Sequence, residues 1–282
     1  MQPYAGISVG GVDTNTLTGK VMCGYQGWFT APGDGSGRGW THYGRRGRFE
    51  PGYCTIDLWP DVSDLDDDEK FPTAFRHSDG SVAHVFSSFC RKTVLRHFDW
   101  MKQYGIDGAF VQRFAVQTFD DLRLNHCNTV LMHCREGANV HGRTYAVMYD
   151  LSGLRAGQIG HVIDDWKSLV DRMGIGRDQQ DRAYLHHGEK PVVAVWGVGF
   201  NDGRQYTLDE CDKLVRFLKH DDKYGGCTVM LGVPTGWRTL DRDSVTDDKL
   251  PRTTIPAGSG ARCSVLCAAI CLASLCISSS CF

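Results

Sequence analysis

The stretch VLRHFDWMKQYGIDGAFVQ, residues 94–112, changes from a helical pattern to a strand pattern at a single turn. Apolar side chains that include Phe98 and Met101 recur at helical spacing, and Gly105 follows them as a typical helix end. Residues 108–112 are then apolar with almost no alternation, which is typical of a strand covered on both faces. The stretch therefore predicts a helix that leads directly into a buried parallel strand.

The same strand pattern recurs on both sides of this stretch. We predict about six strands, at 21–29, at either 53–59 or 83–87, and at 108–112, 145–149, 191–196 and 227–232. Strands separated by helical segments indicate an α/β fold with a parallel sheet. The alternation by itself fits both a doubly wound sheet and a (β/α)8 barrel.

Two further helices are predicted between these strands. One has an apolar face that contains Trp166, Leu169 and Met173. The other begins with a capping box, in which Thr207 and Glu210 precede an apolar face. Both helices lie between predicted strands, as an α/β fold requires.

The composition excludes several classes of protein. With 282 residues, 41% hydrophobic and 23% charged, the chain is long enough for one large core and too ordinary for global disorder or many membrane spans. The formal net charge of −2 provides no general attraction to nucleic acid, so we expect no nucleic-acid partner.

The cysteines divide the chain into two parts. Most of the 12 are scattered over the first 250 residues without close pairs, which favours a reducing compartment over a disulfide framework. Five crowd the C-terminal end, namely Cys263, Cys267, Cys271, Cys276 and Cys281. This end needs an explanation separate from the rest of the chain.

Three interpretations of the uncharged segment 264–282 remain open. It resembles a short membrane anchor with cysteines available for palmitoylation. A zinc or redox cluster is a second interpretation, although the C-x3-C-x3-C spacing matches no common ligand pattern. The abrupt change of composition after Leu250 favours the third, a segment foreign to the domain that a shifted reading frame would produce.

These observations predict three segments. Residues 1–20 form an N-terminal extension, 21–250 an incomplete (β/α) barrel, and 251–282 a tail that is not part of the barrel. The N-terminus lacks the pattern of a signal peptide, so the default expectation is a cytoplasmic protein. A membrane is a partner only if the tail is an anchor.

Polar and aromatic residues follow most of the predicted strands. In a barrel they would meet at the C-terminal rim, where a mixture of aromatic, amide, carboxylate and guanidinium groups suits a sugar ring and its hydroxyls. They include Gln26, Trp28, Asp57, Trp59, Gln112, Arg113, Tyr149, Asp150, Trp196 and Trp237. Any one of the tryptophans could instead be a core side chain.

Other motifs indicate chemistry more weakly. The glycine-rich segment 197–203 does not match the dinucleotide fingerprint, and the acidic run 61–69 lacks the spacing of an EF-hand. His126-Cys127 and His133-Cys134 share a helix face but are better explained by packing than by zinc. We therefore expect no cofactor and no metal.

Several segments resemble glycoside hydrolase family 71/99-like proteins, some of which are labelled xylosidase/arabinosidase. The segments are CGYQGWF, DLWPDVSDLDDDEKFPTAF, HFDWMKQYGIDGAFVQRF, YAVMYDLSGL, DDWKSLV, KPVVAVWGVGF and CTVMLGVPTGWRTL. The resemblance runs from about residue 19 to about residue 250. It implies a TIM-type (β/α)8 barrel that acts on glycans through acidic residues, and it implies that this chain lacks the last strands of the barrel.

The resemblance also implies a catalytic acid at the end of the fourth strand, where this chain has Asp150. Glycosidases use two carboxyl groups, and Asp57 is our second candidate. The residues expected to bind the sugar substrate are Tyr25, Gln26, Trp28, Trp59, Gln112, Arg113, Tyr149, Trp196 and Trp237. The alternatives to a hydrolase are a carbohydrate-binding pseudoenzyme and a tail-anchored membrane protein.

Overall fold

A parallel sheet forms the centre of the computed structural model, which describes residues 1–246 and 265–268. Its strands are β1 (Met22–Tyr25), β4 (Gly108–Phe114), β5 (Thr144–Asp150), β7 (Lys190–Trp196), β8 (Thr228–Gly232) and β9 (Val265–Ala268). Strand β6 (His186–His187) pairs with β7 in antiparallel fashion, while β2 (Phe71–Arg76) and β3 (Val82–Val85) form a separate antiparallel pair. The prediction of an α/β fold with a parallel sheet is confirmed.

The helices cover one face of this sheet. They are α1 (Arg91–Gln103), α2 (Asp121–His141), α3 (Ile159–Met173) and α4 (Leu208–His220). On that face, Tyr25 contacts His97 of α1, and both Arg113 and Tyr149 contact Asp165 of α3. Helix α1 also packs against α2, and α3 packs against α4. The opposite face of the sheet is therefore the one that the helices leave uncovered.

The order of the strands excludes one of the two predicted architectures. A doubly wound sheet reverses its strand order at a switch point, whereas here each parallel strand lies beside the one that precedes it in the chain. Successive right-handed crossovers in one direction place every helix on the same face. In the described part of the chain the sheet does not close, because β1 and β9 each pair on one side only.

The predicted helices form for the expected reasons. Phe98 and Met101 of α1 are fully buried, as are Trp166 and Leu169 of α3. Helix α4 begins with the predicted capping box, in which Thr207 Oγ1 accepts from the backbone N–H of Glu210. Helical spacing and capping were therefore sufficient to locate these elements.

The prediction of the second strand was wrong. Residues 53–59 form a loop, and the 82–85 segment pairs only with β2, so β1 is followed directly by β4 in the sheet. The physical reason is a second, smaller core around Tyr43, Phe49 and Val85. Apolar residues of the long connection between β1 and α1 are buried there, and their pattern resembles that of a sheet strand.

The tail contributes one described element. Strand β9 pairs with β8 in parallel register, so this part of 251–282 joins the sheet although we predicted a tail outside it. The rest of the tail, including all of the proposed anchor except β9, lies outside the described residues, and the predicted domain boundaries stay predictions. Within the described ranges, no helix is both long and apolar enough to cross a bilayer.

Candidate active site at the carboxyl ends of the strands

Four register partners form a row at the carboxyl ends of the central strands. Phe114, Asp150, Trp196 and Gly232 are the last residues of β4, β5, β7 and β8, and each is paired with the next. Since side chains alternate along a strand, these four face away from the helices. We call them the strand-end row, and this edge is where parallel α/β proteins bind ligands.

The carboxylate of Asp150 is held firmly within this row. Its Oδ2 accepts a hydrogen bond of 2.6 Å from Nε2 of Gln112, and its Oδ1 accepts one of 2.8 Å from the backbone N–H of Ser152. Both Asp150 and Gln112 are buried, and Oε1 of Gln112 has no hydrogen-bond partner among the described residues. This amide oxygen is itself buried, and Asp150 keeps 4% of its surface exposed.

The indole of Trp196 lies over the backbone of the next strand. A Cβ atom on Gly232 would be only 2.2 Å from Cε3 of Trp196, so glycine is required there for the ring to lie flat on the sheet. Phe200 lies beside the indole, with ring centroids 5.3 Å apart. Half-buried aromatic faces next to a carboxylate suit the C–H faces of a sugar ring.

Two residues that the sequence analysis did not select complete this edge. Nη1 of Arg204 donates to Tyr206 Oη at 2.6 Å and to Ser152 Oγ at 3.3 Å. Burial raises the pKa of Tyr206 to about 12, and the charge of Asp150 contributes to that increase. The guanidinium of Arg204 also binds the exposed carboxylate of Asp202. No motif marks these residues, because a loop brings them to the edge.

Three of the predicted sugar-binding residues face the helices instead. Arg113 forms a buried ion pair with Asp165, with hydrogen bonds of 2.6 Å from both Nε and Nη2, and Tyr149 donates to the same carboxylate at 2.6 Å. The hydroxyl of Tyr25 shares a hydrogen bond of 2.8 Å with Nδ1 of His97. This placement differs from our expectation because neighbouring residues of a strand point to opposite faces.

The second predicted carboxyl, Asp57, does not follow a strand. It is exposed in the loop before Trp59, whose Nε1 donates to the carbonyl of His84 and whose ring stacks on Phe49 at 5.5 Å. Trp59 therefore belongs to the smaller core, as the core interpretation of the tryptophans allowed. The reason for choosing Asp57, its position at a strand end, does not hold.

Two other predicted residues do lie just beyond the strand ends. Gln26 follows β1 and is half-buried. Trp237 is half-buried in the turn that follows β8, where the guanidinium of Arg238 lies 5.1 Å from the centre of its ring. Their contact with a sugar stays a prediction.

Trp28 connects the strand-end row to a cavity in the connection between β1 and β2. Its indole is stacked between His42, at 4.0 Å, and Phe114, at 5.1 Å between ring centroids. The cavity has a volume of about 620 Å³. It is lined by Trp28, Phe29, Trp40, Thr41, His42, Gly44, Arg46, Gly47, Thr55 and Ile56.

The acidic run provides no free metal site in the described structure. Oxygen atoms of Asp66, Asp68 and Glu69 lie within 4.8 Å of one another. The ammonium of Lys92 and the guanidinium of Arg96 already pair with these carboxylates. Protein cations therefore occupy the position that a metal ion would take.

The histidine and cysteine side chains of α2 contact different parts of the protein. Nε2 of His126 lies 2.7 Å from the carbonyl of Gly27, while the Cys127 thiol contacts Oε1 of Gln117. Cys134 is fully buried in the core between helices and sheet. His126, Cys127 and Cys134 are thus packed side chains of α2.

No family model matches the sequence, and no curated protein matches it. Among solved structures, the chain is similar to the GH99 endo-alpha-mannosidase from Bacteroides thetaiotaomicron in complex with BIS-TRIS-propane, with 14% identity, coverage of 77% of this chain and a TM-score of 0.46. A second structure of that enzyme is 15% identical, covers 80% of this chain and has a TM-score of 0.45. The chain spans 53% and 59% of the lengths of these two chains.

Proposed function

We propose that this chain is a glycoside hydrolase that binds a poly- or oligosaccharide at the strand-end row and uses Asp150 as its acid/base carboxyl group. The observation that carries the proposal is the juxtaposition of Asp150 with the half-buried face of Trp196 at the carboxyl ends of neighbouring strands. The segments that resemble family 71/99-like proteins support the same assignment. We further propose that the sheet is part of a (β/α)8 barrel.

The chemistry follows from what each group offers. Trp196 and Phe200 would stack on the apolar face of a sugar ring. Asp150 would donate a proton to the leaving oxygen or withdraw one from water. Glycoside hydrolysis requires a second carboxyl group. Asp202 is a better candidate than Asp57 for this second carboxyl group, because it forms an ion pair with Arg204 at the same edge.

The first prediction concerns Asp150→Asn. The amide keeps the size of the side chain but cannot transfer a proton, so hydrolysis of an oligosaccharide or aryl glycoside substrate is expected to fall by at least about 100-fold. The release of reducing ends or of the aryl group measures this loss.

Asp164→Asn is the matched control, because this exposed carboxylate lies on α3, away from the strand-end row. It should retain the activity of the unmodified protein. A turnover number that is unchanged in Asp150→Asn would contradict the assignment. Asp202→Asn tests the second carboxyl in the same assay, with Asp57→Asn for comparison.

A carbohydrate-binding protein without hydrolytic activity is the second candidate. One observation favours it: both oxygens of Asp150 already accept hydrogen bonds in a buried setting. In that case the unmodified protein binds oligosaccharides without cleaving them, Asp150→Asn leaves that lack of turnover unchanged, and Trp196→Ala weakens binding. Calorimetric titration combined with the hydrolysis assay separates the two candidates.

A further inference from the structure

The cavity formed by the connection between β1 and β2 is lined by aromatic rings and by one cationic side chain. Trp28, Phe29 and Trp40 line it together with His42 and Arg46. Its volume of about 620 Å³ lies in the range of roughly 300–1,000 Å³ that is typical of small-molecule sites. The strand-end row and this cavity meet at Phe114, on which Trp28 stacks.

The backbone of this wall contains two non-glycine residues in the left-handed region. His42 and Arg46 both have positive φ angles, of 63° and 56°, which L-residues rarely adopt. The segment is tied in place, because Thr55 Oγ1 donates to the carbonyl of His42 and Gly44 forms a bridge with Cys54. A Cβ on Gly44 would be 1.9 Å from the carbonyl oxygen of Arg48, so the chain passes too closely for any side chain. Arg46 and Gly47 are the two central residues of a tight turn between Arg45 and Arg48, a turn geometry in which both φ angles are positive.

The three arginines of this segment differ in whether their guanidinium groups have a partner. Nη2 of Arg45 donates to the carbonyl of Gly52 at 2.7 Å, and Arg48 is paired with Glu50. No ion pair or hydrogen bond of the Arg46 side chain is seen within residues 1–246 and 265–268. Arg46 lines the aromatic cavity and is exposed. A guanidinium binds carboxylates through two parallel hydrogen bonds.

We propose that this cavity binds an acidic sugar unit, a hexuronate, with its ring against the indole of Trp40 and its carboxylate on Arg46. The proposal rests on the proposed carbohydrate function, since it makes the cavity a subsite beside the strand-end row. It specifies the substrate class: an oligosaccharide that carries a uronate near the bond facing Asp150.

The test compares short oligosaccharides of galacturonate and of glucuronate with their methyl esters, which keep the rings and remove the charge. Binding to the full chain is measured by calorimetry and by the fluorescence of the cavity tryptophans. We expect at least one uronate to bind about tenfold more tightly than its ester, as the loss of one charge-assisted hydrogen bond predicts. Equal affinity for acid and ester in both series, or no binding of any uronate, would overturn the proposal.

Arg46→Gln should remove the preference for the acid while leaving the affinity for the ester unchanged. Arg45→Gln is the matched control. It removes the same charge one residue away, and the side chain of Arg45 does not line the cavity. A loss of preference that is equal in the two variants would indicate general attraction rather than a site, and would overturn the proposal. Cleavage of neutral oligosaccharides tests the role of Asp150 separately, so failure of one proposal is distinguishable from failure of the other.

Discussion

The ionised groups at the helix-facing side of the sheet illustrate how single residues are accommodated in the core. Burial alone would lower the pKa of Arg113, but the carboxylate of Asp165 outweighs that effect and raises it. Asp165 accepts hydrogen bonds from Arg113 and Tyr149, so the buried carboxylate is paired. The same pairing explains why Arg113 is not available to a ligand.

Buried histidines make the stability of this protein depend on pH. Burial lowers the pKa of His97 to about 4, from an ordinary value of 6.5; the charge of Glu69 raises it by a smaller amount, and that of Arg96 lowers it further. The folded state therefore binds a proton less readily than the unfolded state, and stability falls as the pH decreases below 6.5. When the pH decreases from 7 to 5, we expect protonation linked to His97 alone to lower the free energy of unfolding by about 2 kcal/mol.

His97→Gln tests this, because it keeps a polar side chain beside Tyr25 and removes the titration. Urea denaturation at pH 7 and pH 5 should show a loss of stability about 2 kcal/mol smaller in the variant than in the unmodified protein. His77→Gln, at an exposed position, should retain the full loss. If His97→Gln shows the same pH dependence as the unmodified protein, His97 is not the titrating group.

At the scale of the element, the start of α4 depends on a reciprocal pair of hydrogen bonds. Thr207 Oγ1 accepts from the N–H of Glu210, and the carboxylate of Glu210 accepts from the N–H of Thr207 at 2.9 Å. Thr207→Ala removes one of them and is expected to lower the free energy of unfolding by about 1 kcal/mol. Chemical denaturation measures this change.

Thr207→Ser provides the matched control, because it keeps the hydroxyl and should be nearly neutral. Equal losses in the two variants would mean that the methyl group, rather than the cap, stabilises this helix start. The cap was visible in the sequence because it depends only on residues three positions apart.

Other elements were not visible in this way. Residues 53–59 and 82–85 have the composition of sheet strands, but their partners are the aromatic rings of the smaller core and β2. A pattern along the chain reports how buried a segment is, and it does not report which partner buries it. The error in the second strand, and with it the choice of Asp57, follows from this limit.

Across the whole molecule, the cysteines report whether the sheet and helices pack as described. Cys23, Cys211 and Cys227 are buried, and burial raises their pKa values to about 11, 12 and 12. Cys54 is exposed. Because the thiolate is the reactive form, alkylation of the native protein should modify Cys54 at least about 100-fold faster than Cys23. Peptide mass spectrometry after timed labelling measures each rate.

The control is the same labelling in denaturant, where Cys54 and Cys23 should react at similar rates. Similar rates under native conditions would show that the core between sheet and helices is not formed. All seven cysteines from Cys23 to Cys227 are free thiols in the structure. This agrees with the prediction of scattered, unpaired cysteines in the body of the chain.

The sequence by itself determined the α/β class, the main helices and the carboxylate at the end of β5. These depend on periodicity and on neighbours in the chain, which local pattern records directly. The tertiary structure decided the face to which each strand-end residue points, the placement of Arg204 and Tyr206 beside Asp150, and the loop cavity with Arg46. Strand alternation separates sequence neighbours such as Tyr149 and Asp150 onto opposite faces, while loops join residues far apart in the chain. Both effects are set by long-range packing, which the order of residues does not display.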